Sequence, residues 1–223
     1  MIKISMRKVL IMPVICLTGV FLNIVITRFC INSAEIPLFL DTIFTITVTL
    51  NCGLIWGIVC GALTNILCHS IFGWGWEPYL FTLCNIATAV ITWFFRNELT
   101  GQEQSLQRRS FMFKTSQLNR IMNKVIILII FSFALCLAMS ILGGIIASFI
   151  LYINTSYTEG SGISGILSTT MFGHDVPVVF KEIISRLPIN IADRLISAFT
   201  GYGIFLLLRR LLKPTALENS LSV

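Results

Sequence analysis

The stretch IPLFLDTIFTITVTLNCGLIWGIVCGALTNILCHSIFGWGW, residues 36–76, decides the fold of this chain. It is apolar throughout, with Asp41 as its only acidic residue and His69 as its only histidine. A membrane-spanning helix needs about 20 mostly apolar residues, and this stretch is about twice that length. The polar break Asn51-Cys52-Gly53 therefore predicts two helices, at about residues 36–50 and 53–72.

The composition of the whole chain agrees with a membrane protein. Of 223 residues, 56% are hydrophobic and 12% are charged, and the mean hydropathy is +0.88. Soluble domains carry about 25% charged residues. These values exclude a disordered chain, a collagen-like chain and an ordinary soluble domain.

Four further apolar runs predict helices at about residues 9–30, 78–96, 125–153 and 188–209. Polar residues 97–124 form a loop between the fourth and fifth helices. A loop at 154–187 contains a helix that we expect to lie at the membrane interface. The prediction is one all-α domain, residues 1–223, an integral membrane bundle of six transmembrane helices.

The basic residues test this helix count, because cytoplasmic loops are enriched in Lys and Arg. With six helices and both termini cytoplasmic, twelve of the 16 Lys and Arg residues fall inside: Lys3, Arg7, Lys8, Arg96, Arg108, Arg109, Lys114, Arg120, Lys124, Arg209, Arg210 and Lys213. If residues 36–76 were one helix, the basic loop 97–124 would lie outside. The charge bias therefore favours six spans.

Polar residues recur at helical spacing inside the predicted spans, where they are costly unless they face the bundle or a wet cavity. Most fall in the outer half of the six-span arrangement and form the candidate ligand site: Asp41, Thr45, His69, Asn85, Arg186, Asn190, Asp193 and Arg194. The alternative for Asp41 and Asp193 is a structural ion pair with Arg194 or Arg186. Asp193 and Arg194 point about 100° apart on a helix, so we do not expect them to pair with each other.

Two features flank this candidate site. Trp74 and Trp76 lie in the Gly-rich loop after the third helix, and Asn154 follows the fifth helix on the same side. The tryptophans either form an interfacial aromatic belt or close over a flat ligand. Gly53, Gly57 and Gly61 form a stripe of small residues on the third helix, which suits either packing within the chain or docking of a partner.

Motifs for several activities are absent from the sequence. There is no G-x-x-x-x-G-K-[ST] phosphate loop, no G-x-S-x-G and no H-E-x-x-H. The seven cysteines contain no C-x-x-C pair and lie mostly in apolar runs, which is typical of packing thiols. We therefore expect no catalytic residue, no metal and no cofactor, and the apolar composition argues against a nucleic-acid partner.

Three segments resemble the substrate-binding S components of energy-coupling factor (ECF) vitamin transporters. They are Pro37-Leu38-Phe39-Leu40-Asp41-Thr42-Ile43, then Trp56-Gly57 with Gly61-Ala62-Leu63-Thr64-Asn65, and Leu187-Pro188-Ile189-Asn190-Ile191-Ala192-Asp193-Arg194. The chain departs from the family pattern at Phe44, where a glycine is usual, and at Asn51-Cys52-Gly53, in place of a Gly-Pro turn. It also lacks the Ala-x-x-x-Ala pair that family members often carry on the first helix.

The resemblance implies a function without catalysis by the chain itself. It implies a multi-pass protein of the bacterial cytoplasmic membrane that binds a vitamin or related small metabolite near the outer face. It also implies delivery through a T transmembrane protein and two ABC-type ATPases. Contact with the T protein would involve the first three helices, where Gly53, Gly57 and Gly61 would suit it.

Two other functions remain open from the sequence. The chain could be a membrane sensory or scaffold protein that couples ligand binding to a partner kinase or phosphatase through the loop 97–124. It could also be an intramembrane enzyme that uses Asp41 and Asp193 as a carboxylate pair, although neither residue lies in a supporting motif.

Overall fold

The structure, a computed structural model, describes residues 6–30, 38–73, 75–101, 117–154 and 176–211. All regular elements in these ranges are helices. They are α1 (Met6–Arg28), α2 (Ile43–Cys52), α3 (Leu54–Phe72), α4 (Thr82–Phe94), α5 (Arg96–Thr100), α6 (Gln117–Ile153) and α7 (Val178–Leu211). A 3-10 turn, Glu77–Phe81, precedes α4. The prediction of an all-α chain holds for the described residues.

Four of these helices, α1, α3, α6 and α7, are long and apolar enough to cross a membrane. Large apolar side chains cover the outer surface of the bundle, and Phe21, Ile55 and Phe94 are each more than 60% exposed. A soluble protein rarely leaves so much apolar surface in water. The surface is compatible with a lipid bilayer and with a multi-pass membrane protein.

The predicted break in residues 36–76 is confirmed at Gly53. Gly53 has a φ of 99°, a conformation that favours glycine because it has no Cβ, and its N–H donates to the carbonyl of Thr49 at 3.0 Å. α2 ends and α3 begins on either side of this residue. A single long helix over 36–76 is therefore excluded.

α2 begins later than predicted, at Ile43 instead of residue 36. Residues 38–42 precede it without helical structure, and Leu40 has a φ of 48°. This left-handed conformation is costly for a residue with a Cβ and is incompatible with a continuing helix. Asp41 therefore lies in a turn before α2.

The other predicted boundaries also shift. The predicted helix 78–96 is divided into the 3-10 turn, α4 and α5. The loop 97–124 contains most of α5 and the beginning of α6, and its residues 102–116 lie outside the described residues.

The separate interfacial helix predicted within 154–187 is wrong for its described part, because Val178 begins a helix that continues through Pro188 to Leu211. A proline removes one backbone donor, and in a membrane bundle the neighbouring helices can bind the freed carbonyl.

α2 is the central helix of the bundle and packs against α1, α3, α4 and α7. Its side chains from Thr45 to Leu50 are all buried. Three glycines from three neighbouring helices lie against it: Gly19 against Val48, Gly57 against Thr49, and Gly201 against the backbone of Ile43. Small residues let helices approach closely where apolar burial gives no driving force.

Contacts between helix ends divide the bundle into two ends. One, here the Asp41 end, brings together the start of α2, the start of α4, the end of α6 and the first turns of α7, through contacts of Asn85 with Asp41, Asn154 with Glu77 and Arg186 with Phe81. The other, here the Lys124 end, joins Arg96 to Leu50, Lys124 to Leu99 and Arg209 to Thr100.

Candidate ligand-binding site

A buried ion cluster connects the segment before α2 to the middle of α7. Asp193 Oδ1 accepts a hydrogen bond at 3.0 Å from the backbone N–H of Leu40. Arg194 donates from Nη1 to Thr42 Oγ1 at 2.6 Å and from Nη2 to Asp193 Oδ2 at 2.6 Å. The side chains of Asp193 and Arg194 are 1% and 7% exposed. These bonds bring together two segments that lie about 150 positions apart in the sequence.

The expectation that Asp193 and Arg194 would not pair is wrong, because they form the shortest ion pair among the described residues. The helix geometry that separates their Cα–Cβ directions by about 100° is unchanged. The arginine side chain is long enough to turn back to its neighbour's carboxylate. The predicted alternative, a pair between Asp41 and Arg194, is also present, at 3.8 Å.

Asp41 is the least tightly held member of the cluster. Its Oδ2 accepts a hydrogen bond from Asn85 Nδ2 at 2.9 Å. Its Oδ1 lies 3.8 Å from Arg194 Nη2, too far for a hydrogen bond, and has no hydrogen-bond partner. The Asp41 side chain is 15% exposed, more than that of Asp193 or Arg194. Asp41 therefore has unused acceptor capacity at Oδ1, which is itself buried although the side chain as a whole is partly exposed.

Arg194 adds an unused donor to the same cluster. Its Nε is buried and has no hydrogen-bond partner, although Nη1 and Nη2 are both bonded. Buried polar atoms are nearly always paired with protein or with ordered water. An unpaired acceptor on Asp41 and an unpaired donor on Arg194 in one cluster mark a place where water or a ligand completes the hydrogen bonds.

Arg186 and Asn190 extend the polar face of α7 by two turns toward its start. Arg186 Nη2 bonds Glu182 Oε2 at 3.1 Å, and its guanidinium lies over the ring of Phe81, 5.5 Å from the ring centre. Asn190 Nδ2 donates to Ser140 Oγ of α6 at 2.9 Å. Arg186, Asn190 and Arg194 are four residues apart, so they follow one side of α7.

Other predicted residues lie near the Asp41 end without joining the cluster. His69 is buried and packs edge-on against Tyr79, with ring centres 5.9 Å apart. Trp76 is half exposed beside the 3-10 turn. Asn154 donates to Glu77 Oε1 at 2.9 Å and so ties the end of α6 to the start of that turn. Trp74 lies outside the described residues.

Thr45 belongs to a second polar group, centred on Asn23 of α1. Asn23 Nδ2 donates to Thr45 Oγ1 and to Thr64 Oγ1, each at 3.2 Å, and its Oδ1 accepts from the N–H of Phe44 at 3.0 Å. Thr45 does not share a helical face with Asp41 as predicted, because Asp41 stands in the turn before α2. The Asn23 group connects α1, α2 and α3.

Two residues of these networks did not enter the predicted site. Asn23 has no solvent exposure, and an asparagine in an uncharged apolar run is a signal of a buried polar contact. Glu182 stands four residues before Arg186, the spacing at which oppositely charged side chains meet on a helix.

The glycine stripe of α3 packs mainly within the chain. Gly57 is buried against Thr49 of α2, and a Cβ at Gly61 would lie 2.8 Å from the carbonyl oxygen of Asn85 in α4. Gly53 forms the turn between α2 and α3 and lies near Trp93. A close approach of α3 to α2 and α4 is the role that the structure gives to Gly57 and Gly61.

The described residues contain no group of three or more His, Cys, Asp or Glu side chains that could hold a metal ion. All seven cysteines are free thiols, six of them buried. The arrangement at Asp41 therefore offers hydrogen bonding and charge to a bound molecule, from Asp41, Asn85 and Arg194. No family model, curated protein or solved structure matches this chain.

Proposed function

We propose that this chain is the substrate-binding S component of an ECF-type importer of the bacterial cytoplasmic membrane. It binds a vitamin or related small metabolite at the Asp41 end and passes it inward with a T transmembrane protein and two ABC-type ATPases. The chain itself provides recognition, and the ATPases provide the energy.

One observation carries this proposal: the segments that resemble the family meet in space. Leu40, Asp41 and Thr42 come from the first segment, and Asp193 and Arg194 come from the last. They contact each other through the bonds of Leu40 N–H with Asp193 and of Arg194 with Thr42. Motif residues that are far apart in sequence and adjacent in space are expected of one shared binding site.

A six-span arrangement is part of the proposal. α2 and α4, with 10 and 13 residues, are shorter than a typical span. α2 is surrounded by other helices, and non-helical backbone is tolerated at membrane depth where protein covers it. Residues 38–42 on one side and the carbonyl of Leu50, bound by Arg96, on the other extend the crossing of α2.

The orientation follows from where the cations lie. Arg96, Lys124 and Arg209 gather at the Lys124 end and bind backbone carbonyls there. Clustered basic residues favour the cytoplasmic side. We therefore assign the Lys124 end to the cytoplasm and the Asp41 end to the outer face, with both termini cytoplasmic.

The surface proposed to contact the T protein differs from the glycine stripe. Because Gly57 and Gly61 are buried inside the bundle, the outward apolar sides of α1 and α3 take that place, with Phe21 and Ile55 as their most exposed members. Large apolar side chains are exposed along both helices.

Purification from native membranes in mild detergent tests the proposal. We expect a small molecule to co-purify in near-stoichiometric amount and to be identified by mass spectrometry of an extract. We also expect ABC-type ATPases to co-purify with the chain, and Ile55→Arg on α3 to abolish their capture while the small molecule stays bound. A preparation with neither a bound small molecule nor an ABC ATPase contradicts the proposal.

A further inference from the structure

The charges of the cluster do not balance. Asp41 and Asp193 contribute two carboxylates, and Arg194 contributes one guanidinium. Arg194 approaches Asp193 to 2.6 Å and Asp41 only to 3.8 Å, so Asp193 takes most of its neutralising effect. A buried carboxylate without a close partner is strongly unfavourable. The cluster, as it stands, has one acidic group too many.

The arginines at the Asp41 end are already engaged with carboxylates of the same chain. Arg186 binds Glu182 at 3.1 Å, and Arg194 binds Asp193. A ligand carboxylate or phosphate would have to share either guanidinium with an internal carboxylate, because the Nε of each remains unpaired. The guanidinium of Arg28 lies over the ring of Phe72, 4.7 Å from the ring centre.

Lys181 is the remaining described cation near this end. It lies within the first turn of α7, one residue before Glu182 and five before Arg186. At 100° per residue it points about 140° away from Arg194, the residue of this helix that approaches Asp41. It therefore does not supply the charge that Asp41 lacks.

The unpaired atoms show where the missing charge belongs. Asp41 Oδ1 is buried and has no hydrogen-bond partner, although other atoms of the side chain retain 15% exposure. Beside it, the Arg194 side chain is 7% exposed and its Nε has no partner. Asn85 holds the other oxygen of Asp41 at 2.9 Å and so keeps Oδ1 in place. An acceptor that is held in place, charged and unpaired is suited to a donor that carries positive charge.

We propose, on the basis of the S-component function, that the ligand is a cation whose protonated nitrogen binds Asp41 Oδ1. The nitrogen belongs to an amine, an amidine or a protonated nitrogen heterocycle, each of which carries an N–H donor. Binding neutralises the excess carboxylate of the cluster. The Nε–H of Arg194 is a donor and therefore does not bind this nitrogen. It donates instead to an acceptor atom of the same ligand or to a water. The excess negative charge of the cluster disfavours an anionic ligand at Asp41.

The experiment compares wild-type protein with Asp41→Asn and with Glu98→Gln. Asp41→Asn keeps the size and removes the charge, and Glu98→Gln makes the same change at an exposed position of the Lys124 end. All three are purified identically from native membranes, their bound small molecules are identified by mass spectrometry, and folding is checked by size-exclusion chromatography. We expect wild type and Glu98→Gln to hold a compound that is cationic at pH 7. We expect the amount of this compound bound to Asp41→Asn to be lower by about tenfold or more.

The outcomes separate the two proposals. An anionic or neutral compound in the wild-type protein overturns the inference about charge and leaves the S-component function standing. Equal retention of a cation by wild type and Asp41→Asn overturns the role of Asp41. No compound in wild type overturns the inference about the ligand, and co-purification of ABC-type ATPases then decides whether the S-component function stands. If Asp41→Asn does not fold, the charge of the compound bound to wild type still decides the inference, and Asp41→Glu, which keeps the carboxylate, is expected to retain a cation.

Discussion

The two ends of the bundle treat their cations differently. At the Lys124 end, cations bind neutral backbone oxygens at the ends of helices: Arg96 the carbonyl of Leu50, and Lys124 the carbonyl of Leu99. At the Asp41 end, Arg186 and Arg194 bind carboxylates. The first arrangement completes helix C-termini, which favour positive charge. The second arrangement buries opposite charges inside the bundle and leaves one carboxylate incompletely paired.

This difference separates a structural role from the binding role that we propose for the Asp41 end. Bonds to helix ends stabilise a fold and leave nothing for a ligand. A buried ion cluster with an unpaired acceptor destabilises the fold unless another molecule completes its hydrogen bonds. If the comparison is right, charge changes at the Asp41 end alter both stability and ligand content, and charge changes at the Lys124 end alter only stability, by less.

The largest effect is expected for Arg194→Met. It leaves Asp193 and Asp41 as two carboxylates without a cation, so the free energy of unfolding should fall by about 3–5 kcal/mol. Thermal unfolding of the purified protein in detergent measures it, with Arg210→Met, at an exposed position of the Lys124 end, as the matched control. Equal melting temperatures for the two variants would contradict the role given to the cluster. Adding Asp41→Asn to Arg194→Met should recover part of the lost stability, because one of the unpaired carboxylates is removed.

A smaller effect is expected for Gly201→Ala. The added Cβ would lie 2.7 Å from the carbonyl oxygen of Ile43 and push the first turn of α2 away from α7. Forced overpacking costs about 1–3 kcal/mol. Gly203→Ala, two residues along the same helix, is the control, because nothing lies within 4 Å of its Cβ. Unfolding temperatures should separate the two variants, and bound ligand should fall only in Gly201→Ala. A Gly203→Ala variant that loses as much stability would refute the close packing at Ile43.

The smallest effect is expected for Lys124→Ala. This change removes bonds from Nζ to the hydroxyl of Tyr202 at 3.0 Å and to the carbonyl of Leu99 at 3.5 Å. Tyr202 keeps its own bond to the carbonyl of Leu99, so the loss should be about 1 kcal/mol. The same unfolding assay, together with the amount of bound ligand per protein, provides the measurement. A loss of ligand in Lys124→Ala would break the distinction between the ends.

Some of this organisation was predictable from the sequence alone. The break at Gly53 follows from the length of the apolar stretch together with a glycine that can adopt a positive φ. The predicted six-span arrangement places Asp41, Asp193 and Arg194 at similar depth, and the structure brings them together. Both features depend on the lengths of apolar stretches and on the positions of polar residues, which can be read from the sequence.

The remaining features depend on geometry that spacing does not describe. The helical-wheel argument separated Asp193 from Arg194 because it follows Cα–Cβ directions and ignores the reach of the arginine side chain. Thr45 was grouped with Asp41 because a helix was assumed to begin before Leu40, where the backbone is left-handed. Pro188 was expected to begin a helix, since a proline interrupts a helix in water more strongly than in a packed membrane bundle.

The shortness of α2 also bears on the electric field across the membrane. Ten residues rise about 15 Å, half of the roughly 30 Å of hydrocarbon in a bilayer. Asp41 stands before its first residue, and Arg96 binds the carbonyl of Leu50 near its last. In a six-span arrangement, the polar groups at the two ends of α2 are thus closer to each other than the two surfaces of the bilayer are. The membrane potential then falls over a shorter distance along α2 than through the surrounding lipid, and a charge bound at Asp41 senses part of it.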